Sequence, residues 1–118
     1  MIAERRLLEN AYDAFNARDI DAALAAMHVD VCWPNGMEGG SVYGHEAVRE
    51  YWTRQWDLID PHVEPLRFEG DEAGRIVVDV RQVVRDRNGT IMVDEIIQHV
   101  YLIEEDLVRN MEIRKPPA

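Results

Sequence analysis

The dipeptide Asn88-Gly89 constrains this chain more than any other pair, because it separates two strand-like runs, "RIVVDVRQVV" and "TIMVDEIIQHVYLI". Successive side chains of a strand point to opposite faces, and Asn-Gly between two such runs suits a two-residue type I′ hairpin. A loop of that length puts Arg87 opposite Thr90. The same register then sets Val84 against Val93, Gln82 against Glu95, Val80 against Ile97 and Val78 against His99, all on one face. The other face carries Asp79, Arg81, Arg85, Asp94 and Gln98 among Val77, Val83, Ile96 and Val100. The first face is the more apolar, so it is expected to meet the rest of the core, with the second solvated or in a subunit contact.

That apolar face keeps two titratable groups four residues apart, Glu95 and His99, with Gln82 beside the first. Burying a carboxylate without partners costs several kcal/mol and normally raises its pKa instead. A carboxyl raised in this way, next to a histidine that titrates near neutrality, forms a proton-transfer pair. The alternative leaves Glu95 in water near the sheet edge and His99 as a hydrogen-bonded core histidine.

Upstream of the strands the apolar period is helical. Leu8, Ala11, Tyr12 and Phe15 recur at three-and-four spacing within residues 2–17. "NARD" interrupts that pattern, and Asp19 is expected to cap a second short helix over residues 20–27 with Ile20, Ala23, Leu24 and Met27 inward. "VDVCW" reads as a short strand and "PNGMEGGSVYG" as a loop. A third helix is expected over residues 45–59, ended by Asp60-Pro61, with Val48, Trp52, Trp56 and Ile59 along one side. "HVEPLRFE" and "LVRNMEIRK" complete a set of four later strands, the Pro65 in the first marking an edge or a bulge. Helices followed by a run of strands define an α+β domain, and 118 residues suffice for one, spanning 1–118.

Composition narrows the function classes. Thirteen Lys and Arg against 23 Asp and Glu give a formal charge of −10, which repels phosphate backbones and anionic lipid, so no nucleic-acid or membrane partner is expected. No apolar run is long enough to span a bilayer. The charged start at Glu4, Arg5 and Arg6 does not look like a secretory signal, and a cytoplasmic protein is expected. The lone Cys32 forms no intrachain disulfide and reads as a small buried residue. His28, His45 and His62 lack metal-ligand spacing, and "GMEGG" lacks the Lys and Ser/Thr of a phosphate loop, so neither metal nor cofactor is expected. Tyr12, Trp33, Tyr51, Trp52, Trp56 and Tyr101 make an aromatic set suited to a pocket for a flat hydrophobic ligand, or to filling a small core.

Three segments, "AYDAFNARDIDAALAAMHVDVCW", "YGHEAVREYW" and "IQHVYLIEEDLVRNMEI", together resemble the SnoaL-like branch of the nuclear transport factor two-like superfamily, which includes the ketosteroid isomerases. The resemblance implies a cone-shaped, curved antiparallel sheet wrapped by three N-terminal helices around an apolar pocket, and a homodimer through the sheet. It places His99 at the strand position where ketosteroid isomerases carry a protonated pocket aspartate. Other isomerase residues differ: the general-base aspartate position is Trp33, before Pro34, and the oxyanion tyrosine position is Ala11, with Tyr12 about 100° further around the helix. The superfamily's epoxide hydrolases use an Asp/Arg/Asp set, which Asp79, Arg81 and Asp94 imitate only on the outer face, as a surface ion-pair group. The expected function is binding of a hydrophobic cyclic metabolite, with cofactor-independent isomerase, cyclase or lyase chemistry on His99 and Glu95. Gln82, Tyr12, Trp33, Trp52, Trp56 and Tyr101 would then contact substrate. The alternative is a binding or dimerisation module without chemistry.

Overall fold

A computed structural model describes residues 2–117 of the chain. Its elements run α1 (Ile2–Asn16), α2 (Ile20–Ala25), β1 (Met27–Pro34), β2 (Ser41–Tyr43), α3 (Gly44–Leu58), β3 (Asp60–Gly70), β4 (Ile76–Arg85), β5 (Ile91–Glu104) and β6 (Leu107–Arg114). The strands form one curved, unclosed sheet in the order β2-β1-β6-β5-β4-β3. Neighbours are antiparallel except β1 and β6, which pair in parallel because the chain crosses back to β1 from the far side. The α+β expectation holds, with two refinements. "SVY" is a short edge strand where a loop was expected, and Met27 opens β1 where it was expected to close a helix.

The hairpin register is as expected, although the turn is not. Val84 faces Val93, Gln82 faces Glu95, Val80 faces Ile97 and Val78 faces His99. The loop has three residues, 87–89: Gly89 N–H donates to Asp86 O at 3.0 Å, and Asp86 N–H donates to Thr90 O at 2.9 Å. Only Gly89 of the Asn-Gly pair has positive φ, at +87°, so the type I′ geometry, which needs it at both residues, does not form. The Asp86 carboxylate selects the alternative by accepting from Asn88 N–H and Thr90 N–H. The extra loop residue would shift the register by one, but a bulge between Val84 and Arg85 on the ladder, at Met92, shifts it back.

The corner "NARD" does three jobs. Asn16 pairs with the edge strand as if it were backbone: its Nδ2 donates to Val63 O at 2.7 Å and its Oδ1 accepts from Val63 N–H at 3.0 Å. Arg18 takes the left-handed conformation, φ 62°, that reverses the chain. Asp19 caps α2 through Ala22 N–H at 3.2 Å. Pro65 lies on the edge strand β3, directly before a bulge, where a missing amide donor costs no ladder bond.

The core lies between the helices and the inner face of the sheet. Leu8, Val31, Val48, Val78 and Val80 are fully buried there. On the outer face Arg81 and Asp94 form a two-bond ion pair at 3.0 and 2.8 Å, and Asp79 accepts from Gln98, which in turn accepts from Arg114. Arg81 and Asp94 therefore form a surface ion pair, and Asp79 belongs to a separate set with Gln98 and Arg114.

Candidate functional site

Tyr12 is one turn past Leu8 on the inward stripe of α1, while His99 and Tyr101 are alternate residues on the inner face of β5. The three side chains meet. Tyr101 OH donates to Tyr12 OH at 2.8 Å, and Tyr12 OH is 2.8 Å from His99 Nδ1. The Tyr12 and His99 rings stack at 5.8 Å with 12° between planes. With the Tyr12 oxygen accepting the Tyr101 proton, the tautomer that gives Tyr12 O–H an acceptor has it donate to Nδ1, and this assigns the imidazole proton to Nε2. Nε2 has no partner among the described residues, and His99 borders a cavity.

Burial lowers the His99 pKa from 6.5 to about 4, because no counter-charge offsets the desolvation of an imidazolium. His99 is neutral at physiological pH. Burial likewise raises both phenols, well above their ordinary range. The cluster is thus an uncharged relay that ends in one N–H donor.

The cavity has a volume of about 310 Å³. Of the residues expected from the sequence, His99, Tyr12, Tyr101, Gln82, Trp33 and Trp52 line it. Two do not. Trp56 is outside the lining, stacked on Trp52 at 5.9 Å and with the Arg18 guanidinium 5.0 Å from its ring. Glu95 has the expected partner in register, Gln82, but it is exposed and makes no hydrogen bond to His99. Buried positions along β5 begin only at Ile97, so Glu95 lies outside them. Tyr12 takes the place that Glu95 was expected to hold beside His99.

Sequence reasoning missed Gln55, Met37 and Met92, which also line the cavity, as does Tyr51, which belonged to the aromatic inventory but not to the expected substrate contacts. Gln55 was legible in principle: it continues from Val48 and Tyr51 at three-and-four spacing, one column over from the Trp52 stripe. Met92 was not, since strict alternation points it away from Val93, and only the bulge lets both share the cavity side. With His99 neutral, no described lining residue carries a charge. Among the described residues no group of three or more His, Cys, Asp or Glu is placed to hold a metal ion, and no helix is long and apolar enough to cross a membrane.

A helix-wrapped curved sheet with a cavity against its inner face is the architecture of the NTF2-like proteins, and the SnoaL-like domain profile matches residues 8–106. The chain belongs to the SnoaL-like domain family. An NTF2-like protein of Burkholderia pseudomallei is 28% identical with a TM-score of 0.84, over 98% of this chain and 92% of its own. TerC, crystallised with polyporic acid, is 25% identical with a TM-score of 0.83, over 97% and 92%. A Mycobacterium tuberculosis protein in complex with estradiol-17beta-hemisuccinate shares the fold at 18% identity and a TM-score of 0.78, over 92% and 90%. Protein translocase subunit SecA 2 of Corynebacterium jeikeium is 29% identical over 83 residues, which make up 70% of this chain and 9% of that subunit.

Proposed function

We propose that the cavity binds an uncharged, hydrophobic ring compound, and that His99 polarises a carbonyl of that ligand through Nε2–H. The observation that carries this reading is the Tyr101–Tyr12–His99 relay, which ends in an unspent donor at an apolar cavity. A neutral donor held in place before reaction, in low dielectric, stabilises a developing enolate without reorganising. TerC, with polyporic acid, supports a ring compound as the ligand class. Isomerisation, cyclisation or lyase chemistry through such an enolate passes the α-proton to solvent, since no described lining residue is a carboxylate.

A second reading, a binding module without chemistry, is favoured by one specific observation: no carboxylate lines the cavity among the described residues, so proton abstraction lacks a base of the usual kind. Exchange of the C1 protons of 2-tetralone in deuterated water separates the two. Catalysis predicts exchange that falls about 100-fold or more in His99→Ala. Undiminished exchange in that variant would remove His99 from the mechanism, and binding without exchange by the wild type would establish the module.

The expected homodimer would form across the outer face, where Ile91 and Ile96 are exposed beside the Arg81–Asp94 pair. Sedimentation equilibrium giving only a 13.7 kDa species would rule it out. A cytoplasmic setting belongs to the same proposal and suits an unpaired Cys32.

A further inference from the structure

The inner wall contributed by α3 holds a second hydrogen-bonding group, separate from the His99 relay. Tyr51 is buried and lines the cavity. Its oxygen accepts from Gly36 N–H at 3.0 Å and from Gln55 Nε2 at 3.2 Å. A phenol oxygen accepts two bonds and donates one. Both acceptor positions are filled by N–H groups, and the hydroxyl proton has no acceptor among the described residues. Exchanging the oxygen and nitrogen of the Gln55 amide does not change the balance. Tyr51 would then donate to Gln55 Oε1, and the two Nε2 protons of Gln55, which also lines the cavity, would be left over.

The loop that supplies Gly36 is itself fastened. Asn35 Oδ1 accepts from Met37 N–H at 3.1 Å and Glu38 N–H at 2.9 Å, and Arg54 of α3 donates to Glu38 at 2.9 Å. Gly36 N–H is therefore held against Tyr51, which keeps one acceptor position of the phenol filled. The unspent donor is a fixed feature of the wall.

We propose that the Tyr51–Gln55 pair is a second ligand-binding donor, so that the cavity selects a ring compound with two acceptor oxygens, one for His99 Nε2–H and one for this pair. Desolvating a buried donor without a partner is unfavourable, and a ligand oxygen at this position removes that penalty. The inference rests on the ligand-binding reading above and narrows its substrate class to diketones, quinones and related compounds.

The test uses two flat probes of the same skeleton, 9,10-anthraquinone with two acceptor oxygens and anthracene with none, titrated against the protein by quenching of tryptophan emission. Wild type is expected to prefer anthraquinone. The double variant Tyr51→Phe/Gln55→Leu is expected to lose about tenfold in anthraquinone affinity while binding anthracene unchanged. Equal losses for both probes, or none for anthraquinone, would overturn the second donor while leaving the cavity a binding site. Failure of both probes to bind wild type would overturn the ligand-binding reading together with this one. Should the double variant not fold, a wild-type co-crystal with anthraquinone decides the matter: a carbonyl oxygen within hydrogen-bond distance of Tyr51 Oη or Gln55 supports the pair, and both oxygens placed elsewhere refute it.

Discussion

Trp52→Ala is expected to cost the fold about 3–5 kcal/mol, the range for deleting a buried tryptophan. Trp52 is buried and sits at the centre of an aromatic cluster. Its ring stacks on Trp56 at 5.9 Å and meets Phe15 at 5.4 Å and Trp33 at 5.6 Å edge to face. Removing it strips three aromatic partners at once and enlarges a cavity that already borders it, so the neighbours have little means of collapsing into the space. Urea denaturation reads the loss as a lower midpoint at unchanged slope. A cost below about 1 kcal/mol would show that Trp52 only lines the cavity and that the core is held elsewhere.

Acid is expected to unfold this protein through His99. In the folded state its pKa is about 4, against 6.5 for the ordinary group. Above pH 6.5 the imidazole is neutral in both states and its contribution to stability is fully present. As pH falls from 6.5 towards 4, the unfolded chain takes up a proton that the folded chain refuses, so stability drops, and the loss is complete below pH 4. The gap corresponds to about 3 kcal/mol. The groups facing His99, Tyr12 and Tyr101, are raised by burial and stay protonated throughout. Glu38, Asp71 and Asp94, held low by their hydrogen bonds and arginine partners, also lose stability as pH falls, but equally in wild type and variant. The difference in unfolding free energy between wild type and His99→Gln, followed from pH 7 to pH 4, isolates the histidine. A difference that stays flat across that interval would mean that His99 is solvated and charges freely.

The register was read from a two-residue turn that does not form, and it holds only because a bulge offsets the longer loop; the faces were readable from the strands themselves, because a slip by one residue would turn Val78, Val80 and Val84 outward together. The turn was not, since Asn-Gly favours one geometry while the Asp86 carboxylate, two residues earlier, selects another, and the compensating bulge at Met92 has no local signature. At the site, His99, Tyr12, Tyr101, Gln82, Trp33 and Trp52 were found by face and by aromatic content. Glu95 was placed on the correct face, but alternation says nothing about where along a strand burial begins. The Tyr12–His99 bond joins residues 87 positions apart and depends on how α1 lies across the sheet, which periodicity within either segment does not contain.

The most direct test of the account is the melting temperature of wild type and His99→Gln against cyclic ketones, steroids, polyketide-like aromatics and terpenoids. A ligand present at a hundred times its dissociation constant adds about 2.7 kcal/mol, a shift of several degrees for a domain of this size. The account predicts such a shift for at least one uncharged carbonyl-bearing ring compound, and a smaller shift for the same compound in His99→Gln. No shift across the panel, or an equal shift in both proteins, would contradict it.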